Sequence, residues 1–341
     1  MKKTSLNDIA QRLGVSKTLV SLVLNGKARE HRISEEVCKK VIDLAKELNY
    51  KPNQIAKGLR TGKTNTIGLI IADIANPFFG KLGREIEREA AMYGYRIIFC
   101  SSDESAENSE TQIEMLQQGL VDGFIISPPA GSQSQIQSLE KSKTPYVLVD
   151  RYFPEIKSNF VVVDNFKASY EATLYLLNKG FKRIACVTIS ARLVNMLDRV
   201  EGYKKALNDA GVENPDKLLR ILPFSHEKDD VFDAVKQLVL DENEAPDAIL
   251  FTTSKVGIMG LECIHSLGLK IPENVAVVSF DDPDAYRISQ PPVSAIAQPL
   301  KELGTQSVKV LLDIINNREN RPPRKEITLK TNFIARKSTE G

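Results

Sequence analysis

Cysteine and histidine are scarce in this chain, with 4 and 3 respectively among 341 residues. Cys38, Cys100, Cys186 and Cys263 stand singly within apolar or helical stretches, and none has the spacing of a metal ligand set. They are expected to be reduced core residues, with no metal site. Long hydrophobic runs are missing as well. The N-terminus is polar from Lys2 onward, and no apolar run reaches the roughly 18 residues that a bilayer span needs. Neither export nor membrane insertion is indicated, so a cytoplasmic protein without a membrane partner is expected. Three catalytic signatures are also absent. No G-x-G-x-x-G follows the first strand, and neither G-x-x-x-x-G-K-[ST] nor G-x-S-x-G occurs. His226 and His265 have no evident acid or nucleophile partner, so neither an enzyme nor a cofactor is expected.

A large net charge is lacking too, the formal value being +2. That balance hides a division. Residues 1–62 hold 13 Lys and Arg against 6 Asp and Glu, a net of +7, whereas the rest holds 33 against 38, a net of −5. A basic head of this kind can displace counterions from nucleic-acid phosphates.

Within that head, Ser5 to Asn25 reads SLNDIAQRLGVSKTLVSLVLN. Ser5 with Asp8 three residues on forms a helix start, and Leu6, Ile9, Ala10 and Leu13 recur at helical spacing. Gly14 breaks the helix and Ser16 caps a second, in which Val20, Val23 and Leu24 face inward. Lys17, Thr18, Ser21 and Leu22 then point outward, where they would meet base edges in a major groove. A third helix from Ser34 through Val37, Val41, Leu44, Ala45 and Leu48 closes the core. The segment is a helix-turn-helix, and DNA is its expected partner.

From Thr64 the pattern changes to short β-rich runs alternating with amphipathic helices, which implies parallel sheets covered on both faces. Expected strands include 66–72, 95–100, 121–127, 145–149, 183–189, 248–253 and 275–280. The rhythm restarts after Val163, giving two Rossmann-like α/β lobes. Open α/β sheets bind ligands beyond the carboxyl ends of their strands. Those ends carry Asp73 to Phe79, Ser101 to Asp103, Asp150-Arg151 and Phe280-Asp281-Asp282. At 42% apolar content the chain is long enough for this head and two lobes.

Across essentially its whole length the chain resembles the lac repressor (LacI/GalR) family. The matching stretches are Ser5-Leu6-Asn7-Asp8-Ile9-Ala10, Gly14-Val15-Ser16, Val20-Ser21, Val23-Leu24-Asn25, Tyr50-Lys51-Pro52-Asn53, Asn76-Pro77-Phe78-Phe79, Val121-Asp122-Gly123, Arg199 with Gly202-Tyr203, Phe280-Asp281-Asp282 and Gln298-Pro299. The resemblance implies a transcriptional regulator, expected to be a repressor, with three parts: a DNA-binding head over 1–50, a hinge over 51–63, and a body over 64–341 of periplasmic-binding-protein type. Its first lobe would take about 64–162 plus 292–323, and its second about 163–291 plus 324–341.

The resemblance further implies that Leu59, with Ala56 and Lys57 beside it, wedges into the minor groove of operator DNA. Ser5, Ser16, Asn25 and Asn53 would join Lys17, Thr18, Ser21 and Leu22 as DNA contacts, Ser16 and Asn25 chiefly to phosphates. Leu22 stands where an arginine often reads guanine, so an apolar contact such as a thymine methyl is expected there. Effector contacts implied by the match are Asn76, Phe78, Phe79, Asp103, Asp150, Arg151, Arg199 and Asp281. Where the family usually has Asn-Asp, this chain has Ser254-Lys255. Lys255 with Arg151, Arg199 and Arg192 suggests a net positive cleft, suited to a sugar acid or sugar phosphate over a neutral sugar.

Reading a palindrome requires two heads, hence a homodimer held by the larger lobes. Two alternatives stand beside this reading. One is the same regulator controlled by a phosphorylated carrier protein; the other is a periplasmic-type solute-binding protein, against which the basic head and the polar N-terminus argue.

Overall fold

The structure, a computed structural model, describes residues 5–50, 63–119, 121–190, 192–225, 227–241 and 243–340. His226 and the hinge residues Asn53, Ala56, Lys57 and Leu59 lie outside these ranges. Two compact units divide at Thr64–Asn65.

In the first unit α1 (Leu6–Leu13) opens on a reciprocal cap. The Ser5 Oγ accepts from the Asp8 N–H at 3.3 Å, and the Asp8 carboxylate accepts from the Ser5 N–H at 2.7 Å. Gly14 ends it at φ +64°, a left-handed turn that a Cβ would strain. Helix α2 (Lys17–Leu24) starts from Ser16, whose Oγ accepts from the Leu19 N–H at 3.1 Å, and α3 (Glu35–Glu47) starts from Ser34. Ile9, Val20 and Val41, one from each helix, are fully buried at the centre. Each such side chain contributes about 1.5–3 kcal/mol through removal from water.

The second unit holds two six-stranded sheets. The first, in order β11-β5-β4-β3-β1-β2, is parallel throughout: β1 (Thr66–Ile71), β2 (Arg96–Ser101), β3 (Gly123–Ile126), β4 (Tyr146–Val149), β5 (Phe160–Val163) and β11 (Glu326–Leu329). The second, in order β12-β10-β9-β8-β6-β7, comprises β6 (Ile184–Ile189), β7 (Leu219–Leu222), β8 (Ala248–Phe251), β9 (Ala276–Phe280), β10 (Ser294–Ala297) and an antiparallel edge, β12 (Asn332–Ile334).

On the first sheet pack α4 (Pro77–Met92), α5 (Ala106–Gln117), α6 (Gln133–Lys141) and α12 (Leu300–Asn316). The second carries α7 (Asn165–Asn178), α8 (Val194–Asp209), α9 (Lys228–Val239), α10 (Ser254–Ser266) and the short α11 (Asp284–Ile288). Gly202 lets α8 lie against α7, since a Cβ there would stand 2.1 Å from the Phe166 carbonyl oxygen.

The lobe boundaries differ from the expected ones. Ser294–Ala297 was expected in the first lobe but pairs with β9, and Glu326–Leu329 was expected in the second but pairs with β5. The chain therefore changes lobe after Val163, after Ala297 and after Leu329. Four-residue strands carry too little periodicity to reveal which sheet they complete. Cys186 and Cys263 are buried, whereas Cys38 and Cys100 are only half-buried, against the expectation of four core thiols. Among the described residues no helix is long and apolar enough to cross a membrane.

Candidate functional site

On the outer side of α2, Lys17 and Thr18 are exposed and Ser21 and Leu22 half-buried. Leu19 packs against the core of the head, and Leu22 is not among the side chains that do. Leu22 therefore has apolar surface to offer a ligand. Asn25 closes the helix, its amide Nδ2 donating to the Ser21 carbonyl at 2.7 Å and to the Ser21 hydroxyl at 3.3 Å. Ser16 accepts from its own helix, which leaves its hydroxyl proton available to a phosphate oxygen. Ser5 is occupied by its cap, Oγ to the Asp8 carboxylate at 2.8 Å. The first turn of α2 thus presents free N–H groups and Lys17 together, the arrangement that holds a phosphate at a helix start.

In the second unit, functional side chains gather where strands of both lobes end. Asp150 after β4 and Asp281 after β9 both take left-handed backbone, φ +67° and +63°. Asp281 accepts from Gln298 Nε2 at 2.8 Å and from Ser254 Oγ at 3.2 Å. Arg199 is buried. Its Nε donates to Asn165 Oδ1 at 2.8 Å, its Nη1 donates to the Thr252 carbonyl at 2.6 Å, and its plane lies 3.8 Å from the centroid of the Phe280 ring. These contacts fix the guanidinium with one edge left for a ligand. Burial pulls its pKa below the ordinary arginine value, opposed by Asp281 and Asp150.

Arg151 behaves differently. Its two Nη groups donate to the Glu104 carboxylate, both at 2.6 Å, and its Nε donates to Asp150 at 3.2 Å, so its fork is spent on the protein. Burial raises the Asp150 carboxyl above the usual range, against the pull of Arg151 and Arg199. Phe78 and Phe79 are buried edge to face, centroids 5.0 Å apart, and Asn76 spends its Oδ1 capping α4 through the Phe78 N–H at 3.0 Å. A cleft of about 210 Å³ is lined from both lobes by Phe78, Lys81, Ser254, Asp281, Asp282 and Gln298, among others.

The net charge expected of the cleft is corrected here. Lys255 is exposed, whereas Ser254 beside it is buried and faces Asp281. Asp103 is exposed, accepting from Ser101 Oγ at 2.6 Å, and its neighbour Glu104 pairs with Arg151. The cleft is not net positive. Arg151 faces Glu104 and Asp150, Lys81 pairs with Asp284 at 3.0 Å, Arg336 grips Asp282 at 2.8 Å through both Nη groups, and Arg192 is exposed. Glu104, Asn165 and Lys81 had not been singled out from the sequence.

Two family models match this chain. One, described as bacterial regulatory proteins of the lacI family, covers residues 5–53; the other, periplasmic binding proteins and sugar binding domain of LacI family, covers 64–337. The HTH-type transcriptional regulator DegA of Bacillus subtilis is 31% identical over 99% of this chain and 98% of its own. A LacI family regulator from Enterococcus faecium, solved with bound ribose, is 31% identical with a TM-score of 0.69, covering 80% of this chain and 98% of that one. The lac repressor dimer bound to operator is 23% identical with a TM-score of 0.86 over 99% of each chain, a likeness of fold. The chain belongs to the LacI family of bacterial transcriptional regulators, with a DNA-binding helix-turn-helix ahead of a two-lobed effector domain.

Proposed function

We propose that this regulator binds a palindromic operator as a homodimer in the cytoplasm, without enzymatic activity, and that an uncharged sugar or related polyol in the interlobe cleft sets its operator affinity. The observation that carries the effector class is the balance of charge. Lys81, Arg151 and Arg336 each face a carboxylate of the protein, while Asp281 and Arg199 are held rigid by neutral groups and by the Phe280 ring. A carboxylate and a guanidinium in fixed orientation accept from and donate to hydroxyls, and Phe78 supports an apolar sugar face. An anionic ligand would meet the Asp281 carboxylate, with Arg199 alone among these four cations not matched to a carboxylate of the protein. The ribose-bound neighbour is consistent with a ligand of this kind.

The DNA half follows from the exposed start of α2, with Lys17, Thr18, Ser21 and Leu22 reading bases, while Ser16 and Asn25 touch phosphates. Two heads on one palindrome require a twofold pair, and Phe99 and Ile221 on the edge strands β2 and β7 supply exposed apolar surface for it. Calorimetric titration with ribose, other neutral pentoses, hexoses and disaccharides, set beside their acids and phosphates, tests the effector class. Binding confined to neutral sugars is expected, and tight binding of the charged series alone overturns it.

A further inference from the structure

At the rim where the strands of the first lobe begin, Asn65 is held just ahead of β1. Its N–H donates to Asp122 Oδ2 at 2.9 Å, and its carbonyl accepts from the Arg96 N–H at 2.9 Å. Its φ of +51° lies in the left-handed region. Asp122 is only 4% exposed, and its own N–H donates to the Thr66 carbonyl at 2.8 Å. The Asp122 carbonyl accepts from Arg318 Nη2 at 2.8 Å, and Arg318 lies two residues beyond the end of α12.

The other end of α12 starts in the cleft. Gln298 touches Asp281 there, and Leu300 lines the cavity. With 17 residues, the helix spans about 25 Å at 1.5 Å per residue. It is fastened to α4 along the way. Gly304 lies so close to the Glu85–Ile86 backbone that a Cβ would stand 3.0 Å from it, and Thr305 Oγ1 donates to Glu89 at 3.0 Å. A rod with one end at the effector and the other at the chain leading to the head is suited to carry a displacement.

We infer that Arg318, Asp122 and Asn65 are positioning residues that connect α12 to the segment leading to the DNA-binding head, so that the states of cleft and head are coupled through them. This rests on the regulator reading above. Coupling between two binding sites is reciprocal, so DNA at the head must alter the cleft through the same route. The second lobe offers an internal control. Asp247 accepts from the Lys182 N–H at 2.8 Å and from the Arg183 N–H at 3.0 Å, a similar clamp at a strand start where no chain leaves for the head.

Hydrogen exchange measured with and without a palindromic duplex, recovered from random DNA by the unmodified protein, tests the relay without any known effector. Addition of the duplex is expected to change exchange at residues 298–303 in the unmodified protein and in Asp247→Ala. That change is expected to be lost in Arg318→Met and Asp122→Ala, while protection of α2 by the duplex persists. Arg318 is exposed, so Arg318→Met decides the matter if Asp122→Ala does not fold. A cleft that does not respond in the unmodified protein, a response retained in Arg318→Met, or an equal loss in Asp247→Ala overturns the relay. Recovery of no palindrome at all defeats instead the regulator reading itself.

Discussion

Arg199 and Arg151 are the same residue type in one cleft, yet their partners give them different work. Arg199 holds neutral acceptors and an aromatic face, whereas Arg151 is matched two-to-two with Glu104. Arg199→Lys keeps the charge but loses the fork and the stack, so sugar affinity measured by titration should fall about 10- to 100-fold, the worth of a charged hydrogen bond. Unchanged affinity would remove Arg199 from the site. Buried hydroxyls supply a second residue-level test. Burial pushes the pKa values of Tyr146, Tyr203 and Tyr286 well above the ordinary tyrosine value. Raised native values mean that the stability they contribute is complete below about pH 10 and is lost as pH rises beyond it, because the unfolded chain ionises first. Alkaline titration followed by phenolate absorbance and circular dichroism should show these three ionising together with unfolding. Ionisation with the fold intact would contradict their burial.

Among single residues, the sequence made legible those whose position follows from a cap or a family match: Ser5, Ser16, Phe78, Arg199, Asp281. Two others depend on local backbone geometry that the sequence does not display. Successive left-handed residues at Asp103 and Glu104, φ +49° and +58°, bring the second carboxylate to Arg151 and leave the first in solvent. Ser254 and Lys255 open a helix, where neighbours point about 100° apart, so Ser254 is buried against Asp281 while Lys255 is exposed.

At the scale of elements, helices and central strands were legible because each is long enough to show a period, although the ends moved. Helix α8 starts at Val194, with no side-chain cap to announce it. The expected strand 248–253 ends at Phe251, since Thr253 caps α10. Edge strands such as β11, with the sequence EITL, were invisible because nothing local tells which sheet they join. Contact between elements is as demanding as their formation. Gly202→Ala forces α8 away from the Phe166 carbonyl, and overpacking of this order costs about 1–3 kcal/mol. A thermal melt should register that loss as a drop of several degrees; an unchanged midpoint would mean that α7 and α8 are free to separate.

Across the whole molecule the division of charge has a measurable consequence. The basic head implies that the logarithm of the affinity for duplex DNA falls linearly with the logarithm of salt, by nearly one unit of slope for each phosphate neutralised. Lys17→Ala should lower that slope by about one if Lys17 meets a phosphate, and should relax base preference with the slope intact if it reads a base edge. An unchanged slope and unchanged preference would take Lys17 off the DNA.

The three passages of the chain between lobes govern how the protein can be made. The first sheet lacks its edge strand until synthesis has passed Leu329, and the second lacks its own until Ile334. The head, complete by residue 50, is free to fold while translation continues, but both lobes must wait until Leu329 and Ile334 have left the ribosome. A nascent chain stalled near residue 320 would therefore already carry a folded reader of DNA with neither half of its sensor closed.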